Sequence, residues 1–246
     1  MLKMIDKSNK YYFEKSGRIL NRFSDLLGLI KVELAQKASK NDLKNLIKKF
    51  YKTYYSKIPE IPYIGGDKNR LSRNIAYTSP AIILWKVLKS DGWKIDEFAP
   101  IYLKALKIFN KREYSGIKGQ LKRIIHRIFI RKCFLSSVFN KQKKLLKKYP
   151  NNFIFKPLKV NKDYFDFGYL ILQCPIVEFG KSQDAEEILP YICAYDFYRS
   201  YYSHSGLNRS KTLAEGNKYC DFKFKQGNLP KNLQKTQIPD KLKPGK

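Results

Sequence analysis

The spacing of apolar residues changes at Tyr149-Pro150, and this change constrains the fold more than any other feature of the chain. Before it, apolar side chains recur every three or four residues, which is the period of a helix with one buried face. After it, segments rich in Phe, Tyr, Ile and Leu lack that period and are interrupted by Gly and Pro, as strands are. The sequence therefore predicts an α+β fold, in which a helical N-terminal region precedes a small antiparallel sheet with a packed helix.

The pattern divides the chain into a helical region over 1–150, a cysteine-bearing α+β region over 151–226, and a basic tail over 227–246. A hydrophobic content of 43% argues against disorder, because it allows a chain of 246 residues to bury a full core. The predicted helices form two stretches within 9–58, then 79–91, 95–110, 117–139 and 184–202; the predicted strands cover 152–160, 164–174, 207–213 and 219–225.

The chain carries a formal net charge of +29, from 50 Lys and Arg against 21 Asp and Glu. Such a field attracts nucleic acid, anionic lipid or acidic metabolites. A lysine-rich coding bias explains part of the excess but not the shortage of acids. The charge is densest over 101–150, where Glu113 is the single acid among fifteen Lys and Arg.

Within that stretch, the apolar residues of 117–139 repeat at helical spacing with basic residues between them, which predicts a basic amphipathic helix. It could lie on an anionic membrane or along a phosphate backbone. An ordinary core helix with a lysine-rich solvated face explains the same pattern. No specific nucleic-acid partner is indicated, peripheral association with an anionic membrane remains open, and so does homo-oligomerisation.

No apolar run reaches the roughly 18 to 20 residues that span a bilayer, and the N-terminus lacks the apolar core of a signal peptide. We therefore expect a cytoplasmic protein without a transmembrane segment. In a reducing compartment, its four cysteines are expected to be thiols or metal ligands rather than disulfides.

Three of those cysteines, Cys174, Cys193 and Cys220, lie within a short C-terminal stretch. Cys193 and Asp196 are three residues apart on a predicted helix and therefore share a face. Cys220 is followed on a predicted strand by Asp221, whose side chain points to the opposite face. Cys174 ends a strand before a proline and could lie at the rim of a site. Simple burial of all three as small apolar side chains is the alternative.

Two chemistries suit this cluster. A nucleophilic cysteine needs a lowered pKa, which Arg199, Arg209 and Lys211 could supply. A zinc ion would take the three thiolates with Asp196 or His204, although the chain has no C-x-x-C pair. We therefore expect either no cofactor or zinc. His126 falls near the apolar stripe of the basic helix and is expected to be structural.

Several enzyme classes lack their signatures here. The chain contains no Walker loop, no G-x-G-x-x-G, no H-E-x-x-H and no G-x-S-x-G. Nucleotide hydrolysis, dinucleotide chemistry, zincin proteolysis and serine esterase chemistry therefore have no support.

Two motifs carry a family resemblance. They read Leu189-Pro190-Tyr191-x-Cys193-x-x-Asp196 and Arg209-x-x-Thr212-Leu213-Ala214-x-Gly216-x-x-x-Cys220-Asp221-Phe222. Together with Cys174-Pro175 and the loops around 61–69 and 166–169, they make residues 58–225 resemble the L-2-amino-thiazoline-4-carboxylic acid hydrolase family.

That resemblance implies opening of a ring at an amidine-like carbon bonded to sulfur and nitrogen, giving a carbamoyl-cysteine product. It implies Cys193 or Cys220 as the nucleophile or metal ligand, and Asp196 or Asp221 as the proton shuttle. Arg209 would then pair with the carboxylate of a small anionic substrate. The pocket is completed by Cys174, Thr212 and His204.

The C-terminal part also looks like a divergent vinyl-reductase-type domain, a small-molecule sensor in which a helix cysteine and a final-strand cysteine contribute to a zinc site. Cys193 and Cys220 hold those two positions. Arg209 and Thr212 stand where such domains place a glutamate and a further cysteine. A non-catalytic sensor and a basic protein that binds anionic surfaces are thus the alternatives to a hydrolase.

Overall fold

The computed structural model describes residues 7–129, 135–231 and 242, with the backbone alone for 7–9, 126–129 and 135–138. The helices are α1 (Lys7–Leu34), α2 (Lys40–Lys57), α3 (Ser72–Ser90), α4 (Ile95–Glu113), α5 (Gly116–Phe129), α6 (Leu135–Lys148), α7 (Pro175–Ser182) and α8 (Leu189–Ser203). The strands are β1 (Ile154–Pro157), β2 (Phe167–Gln173), β3 (Leu207–Asn208) and β4 (Cys220–Phe224). The predicted α+β class is confirmed.

The chain forms two compact units that interleave along the sequence. The first comprises Met1–Ala105 and Pro175–Ile192, and the second comprises Leu106–Cys174 and Cys193–Lys246. The predicted division into 1–150, 151–226 and 227–246 follows the change in secondary structure instead. No helix in the described residues is long and apolar enough to cross a membrane.

Helix α3 is the centre of the first unit. Its side chains are buried on nearly every side, as expected of a helix that other helices surround. It contacts α1, α2 and α7. Trp85 of α3 stacks on Phe98 of α4 with ring centroids 5.7 Å apart. The first unit is therefore a helical bundle around α3.

The predicted start of α3 at Ser79-Pro80 is wrong, because the helix begins at Ser72 and Pro80 lies in its interior. Proline has no amide hydrogen, so the carbonyl of Ala76, four residues earlier, loses its usual donor. The Ser79 hydroxyl donates to that carbonyl at 3.1 Å. This replacement bond explains how the helix passes through the proline.

The second unit contains an antiparallel sheet with the strand order β1-β2-β4-β3. Residues opposite each other in β2 and β4 bring aromatic side chains together on one face: Tyr169 stacks on Phe222 at 5.1 Å and Phe167 on Phe224 at 4.7 Å. We call this surface the aromatic face. The predicted hairpin over 207–225 is confirmed as β3 and β4, although both strands are shorter than predicted.

The outer edge of β1 is occupied by a side chain of α6. The Gln142 amide donates to the Phe155 carbonyl at 3.0 Å and accepts from the Phe155 amide at 2.6 Å. Both backbone groups of Phe155 on this edge are thereby bonded. Gln142 therefore takes the place of a further strand at this position.

Other predicted boundaries differ from the structure. Helix α7 was not predicted, and α8 begins at Leu189 after a short 3₁₀ turn over Glu186–Ile188, rather than at 184. The predicted basic helix over 117–139 corresponds to α5 and the start of α6, but residues 130–134 lie outside the described part of the chain. Most of the predicted tail also lies outside it.

Candidate active site

Arg209 lies in the segment that follows β3 and binds the part of α8 that carries Cys193 and Asp196. Its Nη1 donates to Asp196 Oδ2 and its Nη2 to the Cys193 carbonyl oxygen, both at 2.8 Å. The Arg209 side chain is 4% exposed, whereas the Asp196 side chain is 40% exposed. A buried guanidinium thus holds a carboxylate that still faces solvent, through a charge-assisted hydrogen bond.

The aromatic face supports this guanidinium. The guanidinium carbon of Arg209 lies 4.7 Å from the centroid of the Phe222 ring, close enough for a cation–π interaction. Cys220 and Phe222 share a face of β4 because they are two residues apart on a strand. Strand alternation therefore brings Cys220 to the same side of β4 as the Phe222 ring that contacts Arg209.

The Cys193 thiol is half-buried and protonated at neutral pH. Burial raises its pKa well above the ordinary value, and the nearby Arg209 guanidinium only partly opposes this rise. Cys220, Cys174 and Asp196 raise the pKa further, because each disfavours a second negative charge nearby. The three predicted cysteines are therefore close enough to influence one another, and all three are free thiols.

Cys220 is less accessible than Cys193. It is 6% exposed, and its Sγ accepts a hydrogen bond from the Leu213 amide at 3.2 Å. Burial raises the pKa of its thiol, against the opposing effects of that hydrogen bond and of Arg209. Of the two candidate nucleophiles, Cys193 is the more exposed residue.

Asp221 points away from the thiols and binds the loop before it. Its Oδ1 accepts from the amides of Ser210 and Lys211 at 2.9 and 2.6 Å, and its Oδ2 accepts from the Ser210 hydroxyl at 3.0 Å. The Lys223 ammonium lies 3.3 Å from the same oxygen. With these donors, Asp221 fixes the conformation of the segment that carries Arg209.

Thr212 also shapes this loop. It is fully buried, its hydroxyl donates to Glu215 Oε2 at 3.1 Å, and its carbonyl accepts from the Asn217 amide at 3.1 Å. His204 lies elsewhere, just after the end of α8, with a positive φ of 54°. It is eleven residues beyond Cys193, or about 16 Å along the helix axis. Thr212 therefore stabilises the loop between Arg209 and Cys220, and His204 lies beyond the end of the helix that carries Cys193.

Two further residues lie beside Asp196: Tyr169, which the sequence did not assign to the site, and Arg199, which it named only as a possible source of positive charge for a nucleophilic cysteine. Tyr169 is buried on the aromatic face, and its pKa is raised by burial and then by the Asp196 charge. Arg199 is half-buried one turn beyond Asp196; burial lowers its pKa, but Tyr195, Tyr114 and Asp196 raise it more, so the cation is retained. The available signal for Tyr169 was its place in the 166–169 segment, which belongs to the family resemblance.

The bonding of Arg199 differs from that of Arg209. Within the described residues, Arg199 forms a hydrogen bond with the Tyr114 side chain and no ion pair with a carboxylate. Its other N–H groups are candidate donors to an anion. An arginine suits this task because its planar group can bind a carboxylate through two parallel hydrogen bonds.

The predicted metal ligands Cys174, Cys193 and Cys220 are not placed to bind one metal ion. In the described parts of the chain, no group of three His, Cys, Asp or Glu side chains is placed to hold a metal ion. The Arg209 guanidinium also adds positive charge beside both Cys193 and Cys220. The donor set around Cys193 thus does not fit a zinc ion.

A separate surface groove of about 690 Å³ lies in the first unit. Leu34, Leu46 and Trp93 contribute apolar surface to it, and the Lys49–Asp91 ion pair lies at its wall. None of the predicted site residues lines it. The groove is therefore independent of the Cys193 cluster.

Comparison with known proteins gives a family match. The profile of the family described as L-2-amino-thiazoline-4-carboxylic acid hydrolase matches residues 88–224, which is more than half of the chain. No curated protein and no solved structure gives a significant match. The matched range includes every residue of the cluster around Cys193.

Proposed function

The chain belongs to the L-2-amino-thiazoline-4-carboxylic acid hydrolase family, and on this premise we propose that it opens a small anionic heterocycle containing sulfur and nitrogen. Family membership supports a hydrolase-type activity. The observation that carries the finer proposal is the arrangement of Cys193, Asp196 and Arg209. The Cys193 thiol and the solvent-facing Asp196 carboxylate lie one helical turn apart, and one buried guanidinium binds both that carboxylate and the backbone carbonyl of Cys193.

The proposed nucleophile is Cys193. Because its raised pKa leaves it un-ionised at neutral pH, attack requires a base to remove the thiol proton as the bond forms. Asp196 is the proposed base, since it lies three residues further along the same helix and faces solvent. Arg209 orients that carboxylate and is a positioning residue.

In the first step, Cys193 Sγ bonds to the amidine-like carbon and its proton passes to Asp196. The tetrahedral carbon then collapses, the ring C–S bond breaks, and the leaving sulfur takes the proton from Asp196. Water, deprotonated by Asp196, next attacks the carbon, and the Cys193 thiol leaves with a proton. The net change is the addition of one water to give a carbamoyl-cysteine. Cleavage of the ring C–N bond would use the same groups.

The substrate carboxylate is assigned to Arg199. The sequence assigned this role to Arg209, but both of its terminal nitrogens already bind Asp196 and the Cys193 carbonyl. Arg199 is the neighbouring cation with candidate donors, and Asp196 lies between it and Cys193 in the helix. The large positive charge of the chain favours the approach of an anion. We place the reaction in the cytoplasm, where free thiols persist.

The test is turnover of L-2-amino-thiazoline-4-carboxylic acid by the full chain, followed by mass spectrometry of the product and by release of a free thiol. Cys193→Ala is expected to lower kcat by about a thousandfold or more, since it removes the nucleophile. Asp196→Asn is expected to lower kcat by about a hundredfold. Asp184→Asn, which changes an exposed acid of the first unit, is the matched control and should leave kcat unchanged.

Unchanged turnover in both Cys193→Ala and Cys220→Ala would show that the hydrolysis is not thiol-centred. Arg199→Gln should raise KM for the carboxylate substrate by about tenfold or more and leave kcat less affected. The same KM change for an uncharged amide of the substrate would contradict the role of Arg199.

One observation favours a non-catalytic sensor as the second candidate: burial keeps both Cys193 and Cys220 un-ionised. A sensor of the vinyl-reductase type would bind the same ligand without changing it. A rise in melting temperature on adding the thiazoline acid, with no product after prolonged incubation, would select this alternative.

A further inference from the structure

Helix α5 presents its apolar side to solvent. Four aliphatic side chains are exposed along it: Ile117 by 87%, Leu121 by 57%, Ile124 by 54% and Ile125 by 52%. Their spacing of four, three and one residues places them on a single stripe of the helix. A helix of a globular protein normally turns such a stripe toward the core.

The opposite side of α5 contacts Tyr114, in the turn between α4 and α5. Gly119 is buried, and a Cβ atom at this position would overlap the backbone of Tyr114. Arg123 is half-buried and donates from Nη2 to the Tyr114 carbonyl at 3.1 Å. Gly119 and Arg123 therefore hold this side of α5 against the preceding turn, while the aliphatic stripe on the other side is exposed.

Basic side chains border that stripe. Lys118 and Lys122 lie along one side of it and are exposed, although Lys122 also pairs with Glu113 at 3.1 Å. Lys111 and Arg112, at the end of α4, add exposed positive charge nearby. The helix itself contains no acidic residue. Its exposed surface is therefore an aliphatic stripe in a strongly positive field.

We propose that α5 is an interfacial anchor that lies in the surface of an anionic phospholipid bilayer. The four aliphatic side chains would enter the boundary between head groups and acyl chains, to a depth of about 5–10 Å, while the lysines meet the phosphates. This combination of exposed aliphatic and basic side chains matches a lipid surface on both counts. It does not depend on the proposed hydrolase activity.

Other occupants fit the stripe less well. A nucleic acid backbone would meet the lysines but would leave four aliphatic side chains against phosphate and water. A second copy of the chain would bring a further charge of +29 to the same surface. An anionic bilayer supplies both the negative charge and the apolar phase.

The experiment is cosedimentation of the full chain with vesicles of phosphatidylcholine alone or with about 30% phosphatidylglycerol, at physiological ionic strength. Wild-type protein is expected to bind the anionic vesicles at least about tenfold more strongly than the neutral ones. The variant Ile117→Ser/Leu121→Ser/Ile124→Ser/Ile125→Ser should lose about tenfold or more of that binding, because it removes the side chains that enter the bilayer. It keeps every charge, so the loss would not be electrostatic.

Two matched controls separate the stripe from general effects. Val32→Ser/Val160→Ser removes two exposed aliphatic side chains elsewhere and should change binding by less than about twofold. Lys44→Gln/Lys48→Gln should weaken binding less than Lys118→Gln/Lys122→Gln, although each pair removes two exposed charges. The melting temperature of each variant confirms that it is folded.

Three results would overturn the proposal. The first is wild-type affinity in the four-serine variant, which would show that vesicle binding depends on charge alone. The second is tight DNA binding that the four serines leave unchanged, combined with no vesicle binding, which would indicate a nucleic-acid surface. The third is a dimer in sedimentation that the serines dissociate, again without vesicle binding, which would indicate self-association.

Discussion

Arg209 is the residue on which the geometry of the candidate site depends. It bonds a side chain and a backbone carbonyl of α8 and rests on Phe222 of β4. The sequence predicted that Cys193 and Asp196 share a helix face, because this follows from their spacing alone. It did not predict that Arg209 would form hydrogen bonds with both residues, because these depend on where the segment after β3 lies relative to α8.

Arg209→Lys should destabilise the protein despite keeping the charge. A lysine ammonium cannot reproduce the planar pair of hydrogen bonds to Asp196 and to the Cys193 carbonyl. We expect the free energy of unfolding to fall by about 2 kcal/mol, and by about 3 kcal/mol for Arg209→Met, which leaves Asp196 unpaired. The partial exposure of Asp196 keeps this second value below that of a fully buried pair.

Urea denaturation measures both changes. Arg73→Lys, at an exposed position of the first unit, is the matched control and should change the free energy of unfolding by less than about 0.5 kcal/mol. If Arg209→Lys were as stable as this control, the two hydrogen bonds would not be important for stability.

At the scale of elements, helical periodicity predicted the long helices, but boundaries set by local bonds escaped it. From the sequence, Pro80 indicated the start of a helix. The hydrogen bond from the Ser79 hydroxyl, which only the structure shows, explains why the helix continues through this proline. Helix α7 has eight residues and begins at Pro175, so it is too short to show a clear period. The roles of Asp221 and Thr212 in the loop also depend on bonds that spacing does not reveal.

Gly206→Ala should strongly disrupt the turn between α8 and β3. Gly206 has a φ of +64°, and a methyl group there would overlap the carbonyl oxygen of Lys225. The Lys225 amide also donates to the Gly206 carbonyl at 3.0 Å, so the two segments cannot separate without losing that bond. We expect a loss of at least about 3 kcal/mol in the free energy of unfolding.

Gly227→Ala separates the two causes of this loss. Gly227 also has a positive φ, of +90°, but no atom lies within 4 Å of a Cβ built there. It should therefore show only the backbone strain of about 1–2 kcal/mol. Equal losses in the two variants, measured by urea denaturation, would mean that the contact with Lys225 is unimportant.

For the whole molecule, the buried thiols set a limit on stability at alkaline pH. Burial raises the pKa of both Cys193 and Cys220, so the native state keeps protons that the unfolded chain releases above about pH 8.5. The stability they contribute is therefore complete below this pH and is lost as the pH rises. The loss is at most about 1.4 kcal/mol per pH unit for each thiol.

Free energies of unfolding between about pH 7.5 and 9.5 test this dependence, below the range in which tyrosine and lysine titrate. Wild-type protein should become less stable across the interval, and Cys193→Ser/Cys220→Ser should show a shallower decline. Parallel declines in the two proteins would assign the effect to other groups.

The pairing of β2 with β4 has a consequence for how the chain is made. β2 forms a hairpin with its neighbour β1, but its other partner follows only after α7 and α8 have been synthesised. Until Phe224 leaves the ribosome, Tyr169 and Phe167 have no stacking partners in β4. Pairing of strands distant in sequence is slow, and exposed aromatic strands aggregate. The nascent chain is therefore most vulnerable to misassembly in the interval between the synthesis of β2 and that of β4.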